Sequence, residues 1–567
     1  MMQLESWLGR WGRGWRGPLL AALVALCAGL PGVLGLPPLD RDESRFAEAS
    51  AQMLETGDFV SIHFQDEPRF KKPVGVYWLQ AGSVALLSHV EDRAIWAYRI
   101  PSLAGAMVAA AACAWGAAAF LPAGPALLAG AMLGASFMLS TEAAIAATDG
   151  VLAGAVTLAM AALGRLYLAA SDPEGWRGPP PGLATRGLFW GGVAASVLVK
   201  GPIGPMVVAL ALLALGLWDR RVRWMAGLGW GWGLILTGAV ILPWAVAITV
   251  ATDGAFWGAA LGGDLAPKLA EGQEGHGAPP GFYLLLLPLL IFPAGLLLPA
   301  AAIGAWRTRT TPATRFALCW LIPAWLVFEI TPTKLVHYTL PLYGALAWLM
   351  AHTLASPQTP GARIAGAALA CLAGAAAAAV CWVVFALHGA APAPLLAAIV
   401  ASSLLAAAAL VGARLLWRSP PAAVVASGAL AVVGHGVLLG VLLPAVTPLW
   451  LSSQAAAKLS AAGENPRDGV VAGPVTIAGY AEPSLVFLLG ADTELGDGAD
   501  AADAIAQGRP AIVESRQAAA FAAALAADAV AARPIGEVVG LDYSKGRHDI
   551  LRLYEPAARP APRASGL

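Results

Sequence analysis

Residues 39–80 read LDRDESRFAEASAQMLETGDFVSIHFQDEPRFKKPVGVYWLQ. Only 12% of the chain is Asp, Glu, Lys or Arg. This one stretch nevertheless gathers Asp40, Arg41, Asp42, Glu43, Arg45, Glu48, Asp66, Glu67, Arg69, Lys71 and Lys72 directly after an apolar run. Acids come first. A short amphipathic helix follows, with Phe46, Ala49 and Met53 on one face. Paired lysines then precede Pro73, and Tyr77 and Trp78 close the stretch. That order suits a site at a membrane surface that handles a phosphate and a proton.

Outward from this stretch the chain is strongly apolar. It is 58% hydrophobic, against roughly 45–50% in a soluble domain, and its mean hydropathy is +0.68. Many runs reach the roughly 20 apolar residues that a membrane span requires. We expect an all-α polytopic membrane protein with spans near 17–36, 99–120, 123–141, 150–169, 187–200, 203–218, 224–250, 282–305, 315–330, 335–354, 364–387, 394–416 and 422–446. The first run follows Arg10, Arg13 and Arg16. A cleaved signal peptide is the competing reading; the length of the run and the lack of a clear small-residue cleavage pattern favour a retained anchor.

The segment 74–90 is the ambiguous one, and charge asymmetry decides it. With 74–90 lying in the interface and the N-terminus cytoplasmic, Arg177, Arg186, Arg220, Arg221, Arg223, Arg307, Arg309, Arg315, Arg363, Arg414 and Arg418 all face the cytoplasm. Lys200, Lys268, Lys334 and the first charged loop, 37–98, then lie outside. The expectation is about thirteen spans, with interfacial helices in the first loop. Residues 450–567 are richer in charge and alternate short β-like runs with alanine-rich helices, as in a small α/β domain on the outer, periplasmic side. Two domains are expected, 1–449 and 450–567, with a disordered tail after Pro556. Net charge is zero, so no overall field recruits nucleic acid. The five cysteines fall in apolar runs and read as small buried hydrophobes.

Two chemical groupings stand out in the first loop. Asp40 with Glu43 three residues later has the form of a capping box. Asp42 is less well explained by capping and is a candidate general base beside an apolar surface. Arg69, Lys71 and Lys72 form either a basic edge facing anionic headgroups or a phosphate clamp. A lysine about 4 Å from a phosphate contributes roughly 4 kcal/mol per unit charge at an effective dielectric of about 20.

At this point a resemblance becomes specific. DESRFAE, GDF and KKPVGVYW resemble the opening loop of the bacterial aminoarabinose transferase family, whose pattern reads roughly DE-[TS]-R-[YF]-AE, GDW, F-E-KP and YW. That family is related to the protein O-mannosyltransferases. Further matches follow in order: YRIPSLAG (98–105), TDG (148–150), VKGP (199–202), PW (243–244), APKLAEGQEGHGAPPGFY (266–283), TKLVHYTLPLY (333–343), GYAEPSLVF (479–487) and LDYSKG (541–546). The resemblance implies the GT-C fold and an inner-membrane glycosyltransferase. Its donor would be a polyprenyl-phosphate (undecaprenyl-phosphate-like) sugar, and its acceptor lipid A or another envelope glycan or lipid.

The resemblance also implies site residues. Asp42 matches the critical first-loop aspartate, beside Glu43, and Asp149 a second aspartate. Lys72 matches the lysine proposed to hold the lipid phosphate. Lys268, Tyr338 and His276 match further substrate-binding positions, and Lys334 and Tyr77 belong to matching motifs. Two departures are visible. The glutamate expected before Lys72 is Lys71, and an arginine is replaced by Lys268, which loses bidentate geometry toward phosphate. The acids leave room for a divalent metal without ligands to assign it, and no nucleotide-binding loop is present.

Other polar positions have structural readings. Lys200 and Lys334 suit snorkelling, Arg99 the anchoring of a helix end, and His435 a helix–helix contact. The rival functional classes are a transporter or flippase of lipid-linked sugars and a protein O-mannosyltransferase-like enzyme. Transporters place ionisable residues at mid-membrane, whereas here they cluster at helix ends.

Overall fold

The computed structural model describes residues 2–265, 267–268, 277–387, 392–469 and 473–557; His276 lies outside them. Helices occupy most of each stretch read above as a span, but 123–141 is broken into Ala123–Gly134 and Phe137–Glu142, and 335–354 is helical only from Leu340. Among the described residues eight are long and apolar enough to cross a membrane, and a ninth span is formed if the bent pair Phe282–Leu290 and Ala294–Arg307 counts as one. Pro293, which has no N–H to continue a helix, lies at that 113° break. The protein is a multi-pass, mostly helical membrane protein with a small C-terminal mixed-sheet domain.

In chain order the first helices are α1 (Met2–Trp11), α2 (Arg16–Gly35), α3 (Asp42–Thr56), α4 (Gly75–Leu87), α5 (Ile95–Ala117), α6 (Ala123–Gly134), α7 (Phe137–Glu142), α8 (Thr148–Ser171), α9 (Leu183–Lys200), α10 (Ile203–Asp219) and α11 (Trp230–Ala251). The 13 residues of α4 reach about 20 Å, short of a hydrocarbon core of about 30 Å. Small residues let α5 and α8 touch. A Cβ on Gly105 would lie 2.4 Å from the Gly150 carbonyl, and one on Gly154 would lie 2.5 Å from the Gly105 carbonyl. Without a hydrophobic force between helices in lipid, such close backbone packing supplies the attraction, and it fixes the end of α8 that carries Asp149. His435 joins two helices, its ring nitrogens 2.8 Å from Ser140 Oγ and 3.3 Å from Thr141 Oγ1.

The first loop carries a two-stranded hairpin, β1 (His63–Phe64) with β2 (Glu67–Pro68). The C-terminal sheet has the order β4-β3-β5-β7-β6, from β3 (Thr476–Ala478), β4 (Glu494–Gly496), β5 (Ala511–Glu514), β6 (Ala532–Asp542) and β7 (Arg547–Pro556). β3 runs parallel to β4 and β5, while β7 is antiparallel to β5 and β6. The helix Leu451–Ala462 packs its Leu451, Ala455 and Leu459 against Ile477, Val538, Leu551 and Leu553 of that sheet.

The capping-box reading of Asp40 and Glu43 is corrected here. The residue preceding α3 is Arg41, at φ 61°, and no side chain caps the helix. Asp40 turns instead to the C-terminal domain, where Ser484 Oγ donates to its carboxylate and its own N–H donates to Tyr543 Oη at 2.7 Å. Arg41 contacts the Ser544 carbonyl. Burial, with Glu482 and Asp542 nearby, pushes the Asp40 carboxyl up to about 7, against the pull of Ser484. Thus GYAEPSLVF and LDYSKG, distant in sequence, clamp the strained turn beside Asp42.

Glu43 turns inward. Arg99 Nε and Nη2 donate to its two carboxylate oxygens at 2.8 and 2.7 Å. The backbone N–H groups of Ala146 and Leu39 complete its shell at 2.7 and 2.8 Å. Arg99 also donates to the carbonyls of Val33, Leu36 and Pro37. Both side chains are essentially inaccessible, at 0% and 1%. Removing one member of such a pair costs about 3–5 kcal/mol, because the survivor is left charged and unpaired. Arg99→Leu should therefore lower the thermal midpoint in detergent sharply, and Arg99→Leu with Glu43→Gln should recover part of the loss. A single variant as stable as wild type would remove this pair as an anchor.

Candidate functional site

A cavity of ≈400 Å³ opens where the first loop meets the helix ends. α3 brings Asp42, Arg45 and Phe46 to it, and the turn before α4 brings Arg69, Lys71 and Lys72. Glu142 and Asp149 come from the α7–α8 corner, Lys200 from the last turn of α9, and Asp264, Lys268, His337 and Tyr338 from later segments. Seven basic and five acidic side chains line it, an excess of two positive charges with His337 neutral.

Asp42 is 72% exposed and lies 3.8 Å from both Arg45 and Arg69. Arg69 is buried. Its guanidinium lies 5.0 Å from the Phe46 ring, and its Nε donates to Tyr77 Oη at 3.3 Å. Tyr77 is fully buried and packs on Phe46 at 5.3 Å between ring centroids. It does not line the cavity; it holds Arg69, which does.

The lysines are bridged by a residue that sequence reading passed over. Lys72 Nζ lies 2.7 Å from one oxygen of Asp264, and Lys268 Nζ lies 2.7 Å from the other. Burial pulls the Lys72 ammonium down to about 8, with Lys268 and Lys200 adding repulsion and Asp264 resisting. Burial works against the Asp264 carboxylate as well, but Lys72 and Lys268 outweigh it and hold it below its usual range. A signal was present: Asp264 and Lys268 stand four apart, the spacing of a helical ion pair.

A second cluster faces it. Lys200 Nζ lies 2.6 Å from one oxygen of Asp149. His337 Nε2 lies 3.5 Å from the other, and His337 Nδ1 lies 3.2 Å from Glu142. Thr148 Oγ1 donates to Asp149 at 3.1 Å. The Tyr338 ring lies 5.2 Å from Lys200 Nζ. Lys334 is buried and donates to the Thr331 carbonyl at 2.5 Å. It stands outside the cavity, although its segment delivers His337 and Tyr338 into it. Glu142, Asp149 and His337 offer three donor atoms within 4.8 Å of one another. The two ring nitrogens of His337 nevertheless face different carboxylates, and Lys200 occupies Asp149. The same three residues form a carboxylate–imidazole–carboxylate cluster that Lys200 joins through Asp149.

The Lys72 environment generates a pH prediction. Modification of Lys72 by an amine-reactive reagent, followed by peptide mass spectrometry, should rise with a midpoint near 8. Asp264→Asn removes a charge that raises the ammonium pKa, so the midpoint should move lower. A wild-type midpoint in the ordinary lysine range, about 10.4, would contradict the geometry.

No protein-family model matches the chain. It is 32% identical over 315 residues to the undecaprenyl phosphate-alpha-4-amino-4-deoxy-L-arabinose arabinosyl transferase of Pseudomonas paraeruginosa, covering 55% of each chain. It is 30% identical over 318 residues to the same enzyme of Pectobacterium atrosepticum, covering 55% of this chain and 54% of that one. The chain thus spans little more than half the length of these curated relatives. In fold the likeness is longer. The crystal structure of ArnT from Cupriavidus metallidurans bound to undecaprenyl phosphate aligns with 96% of this chain and 99% of its own, at a TM-score of 0.75 and 18% identity. The Archaeoglobus fulgidus oligosaccharyltransferase aligns at 0.51 and 11% identity, over 88% of this chain and 69% of its own. Over little more than half its length the chain is similar in sequence to these aminoarabinose transferases, and over nearly all of it its fold is that of ArnT.

Proposed function

We propose that the protein is an inner-membrane glycosyltransferase that moves a sugar from a polyprenyl-phosphate donor to a lipid or glycan acceptor on the periplasmic side. The observation that carries this reading is the pair of lysines sharing Asp264 in a cavity that Asp42 also lines. The ArnT-like fold supports it. The donor is a phosphodiester with one negative charge. Once the bond from the anomeric carbon to the phosphate oxygen breaks, the lipid phosphate gains a further negative charge. Lys72 and Lys268 therefore stabilise the departing group more than the donor, which is the condition for accelerating the reaction. Asp42 takes the proton of the acceptor oxygen as the new carbon–oxygen bond forms, with inversion at that carbon. Tyr338 borders the phosphate, and Asp149, held by Lys200 and His337, steadies the developing positive charge on the sugar.

Asp264 has a place in this scheme. Its pairs with the lysines are only partly exposed, with side-chain accessibilities of 11–30%, and a phosphate would offer the same two ammonium groups a replacement anion. A lipid phosphate can displace it. In the reconstituted protein, Asp42→Asn should keep lipid-phosphate binding and lose about 10²–10⁴-fold in transfer. Lys72→Ala and Lys268→Ala should weaken binding of undecaprenyl phosphate, and Asp264→Asn should tighten it roughly tenfold, about 1.4 kcal/mol. Near-wild-type transfer by Asp42→Asn would move the acid's role to Asp149. Unchanged binding in both lysine variants would refute the clamp. A panel of radiolabelled acceptors separates a lipid A-type acceptor from a protein hydroxyl. Lipid translocation without sugar transfer would favour the flippase reading.

The same reading includes about thirteen spans, a cytoplasmic N-terminus, a transmembrane domain at 1–449, and a periplasmic domain at 450–567. Contacts between the first loop and the C-terminal domain support a shared side: Gln65 Nε2 donates to the Ala491 carbonyl at 3.0 Å, and Arg467 lies 3.5 Å from Glu55. In a cysteine-free background, cysteines at Ser61 and Ser515 should both react with an impermeant reagent added from outside. Labelling of only one would sink this topology.

A further inference from the structure

At the other end of α8 from Asp149, an arginine is buried without an anion. Arg165 stands sixteen residues further along α8, about 24 Å away at roughly 1.5 Å per residue. It is 7% exposed. Its guanidinium lies between the rings of Trp115 and Trp176, at 4.6 and 5.0 Å, and Nη1 donates to the Trp115 carbonyl at 2.9 Å. These contacts hold the loop after α8 against α5. They do not neutralise the charge: Nε has no partner, and no carboxylate among the described residues pairs with the side chain. A charge inside an apolar bundle is costly when unpaired.

Arg165 opens on a cavity of ≈1380 Å³. Arg13 and Arg177 line the same space against a single carboxylate, Glu5, and an apolar wall that includes Val108, Leu158 and Leu188 completes it. Arg13 and Arg177 are exposed at its rim. We propose that this cavity binds an anionic phospholipid, its phosphate held by Arg165 with Arg13 and Arg177 and its acyl chains laid along the apolar wall. Basic pockets between helices at the arginine-rich face of a membrane protein recognise such headgroups. The volume exceeds three times that of the cavity beside Asp42, which suits a two-chain lipid. Assignment to the cytoplasmic leaflet rests on the proposed topology. The headgroup chemistry does not, and binding is read without any sugar transfer.

The test is a thermal-shift titration of the delipidated full-length protein with dioleoyl phosphatidylglycerol or dioleoyl phosphatidylcholine in neutral detergent, with inorganic phosphate as a third arm. Phosphatidylglycerol should raise the unfolding midpoint and phosphatidylcholine should not. Arg165→Gln should weaken the phosphatidylglycerol effect at least roughly fivefold, the weight of one arginine against an anionic surface. The double variant Arg13→Gln with Arg177→Gln, which spares the packing of Arg165, should act in the same direction. Lys72→Ala, at the opposite end of the bundle, should leave the effect intact. Equal response to the two lipids overturns the proposal. So does wild-type behaviour of both arginine variants, loss of the effect in Lys72→Ala instead, or full protection by inorganic phosphate alone.

Discussion

The ion pair of Glu43 with Arg99 is the constraint on which the reactive end of the molecule depends. A mostly apolar bundle must hold a dense cluster of charge at its rim, and the first charges after the first apolar helix are the hardest to place. Arg99 gathers the last carbonyls of α2 and both oxygens of Glu43, while Glu43 also takes the N–H of Ala146 beside α8. One buried pair thus ties α2, α3, α5 and the approach to α8. Asp42 is the neighbouring residue on the outward side of that knot. Its position follows from the pair and from the C-terminal domain, which grips Asp40 and Arg41 through Ser484, Tyr543 and Ser544.

Charges in this region fall into two kinds, told apart by burial and by partners. Glu43 with Arg99, and Glu48 with Arg93 at 2.9 Å, are closed pairs with almost no exposure, and losing one partner strands the other. The charges around the cavity are held more loosely. Lys72 and Lys268 share one carboxylate, Asp149 is met by Lys200 and His337, and Asp42 makes only long contacts at 3.8 Å. Partners of that second kind line the cavity. The first set is enclosed by the fold, and the second lines the cavity of the proposed reaction.

Much of this was legible in the chain because periodicity and charge speak directly. Apolar runs located the helices, and the density of charge in residues 39–80 marked the loop that matters. Motif order linked that loop to distant pieces such as GYAEPSLVF and LDYSKG, whose role became clear only when Ser484 and Tyr543 were seen holding Asp40. What stayed hidden was pairing across the fold. Asp264 sits in a glycine-rich stretch with no apolar pattern to point at its direction, and its bond to Lys72 spans 192 positions. In the sequence His337 is visible only as part of a motif, because its two carboxylate partners come from separate elements. Asp40 looked like a cap by spacing alone, and the competing hydrogen bonds came from more than 400 residues away. Tyr77 and Lys334 carry motif signals, yet burial turns them to positioning neighbouring groups.

The central claim is that Lys72 and Lys268 hold a lipid phosphate in place of Asp264. Cryo-electron microscopy of the protein with undecaprenyl phosphate tests it most directly. Phosphate density is expected within hydrogen-bond distance of both lysine ammonium groups, with the Asp264 carboxylate turned away from at least one of them. Phosphate density elsewhere, with both Asp264 pairs intact at their present 2.7 Å, would contradict it.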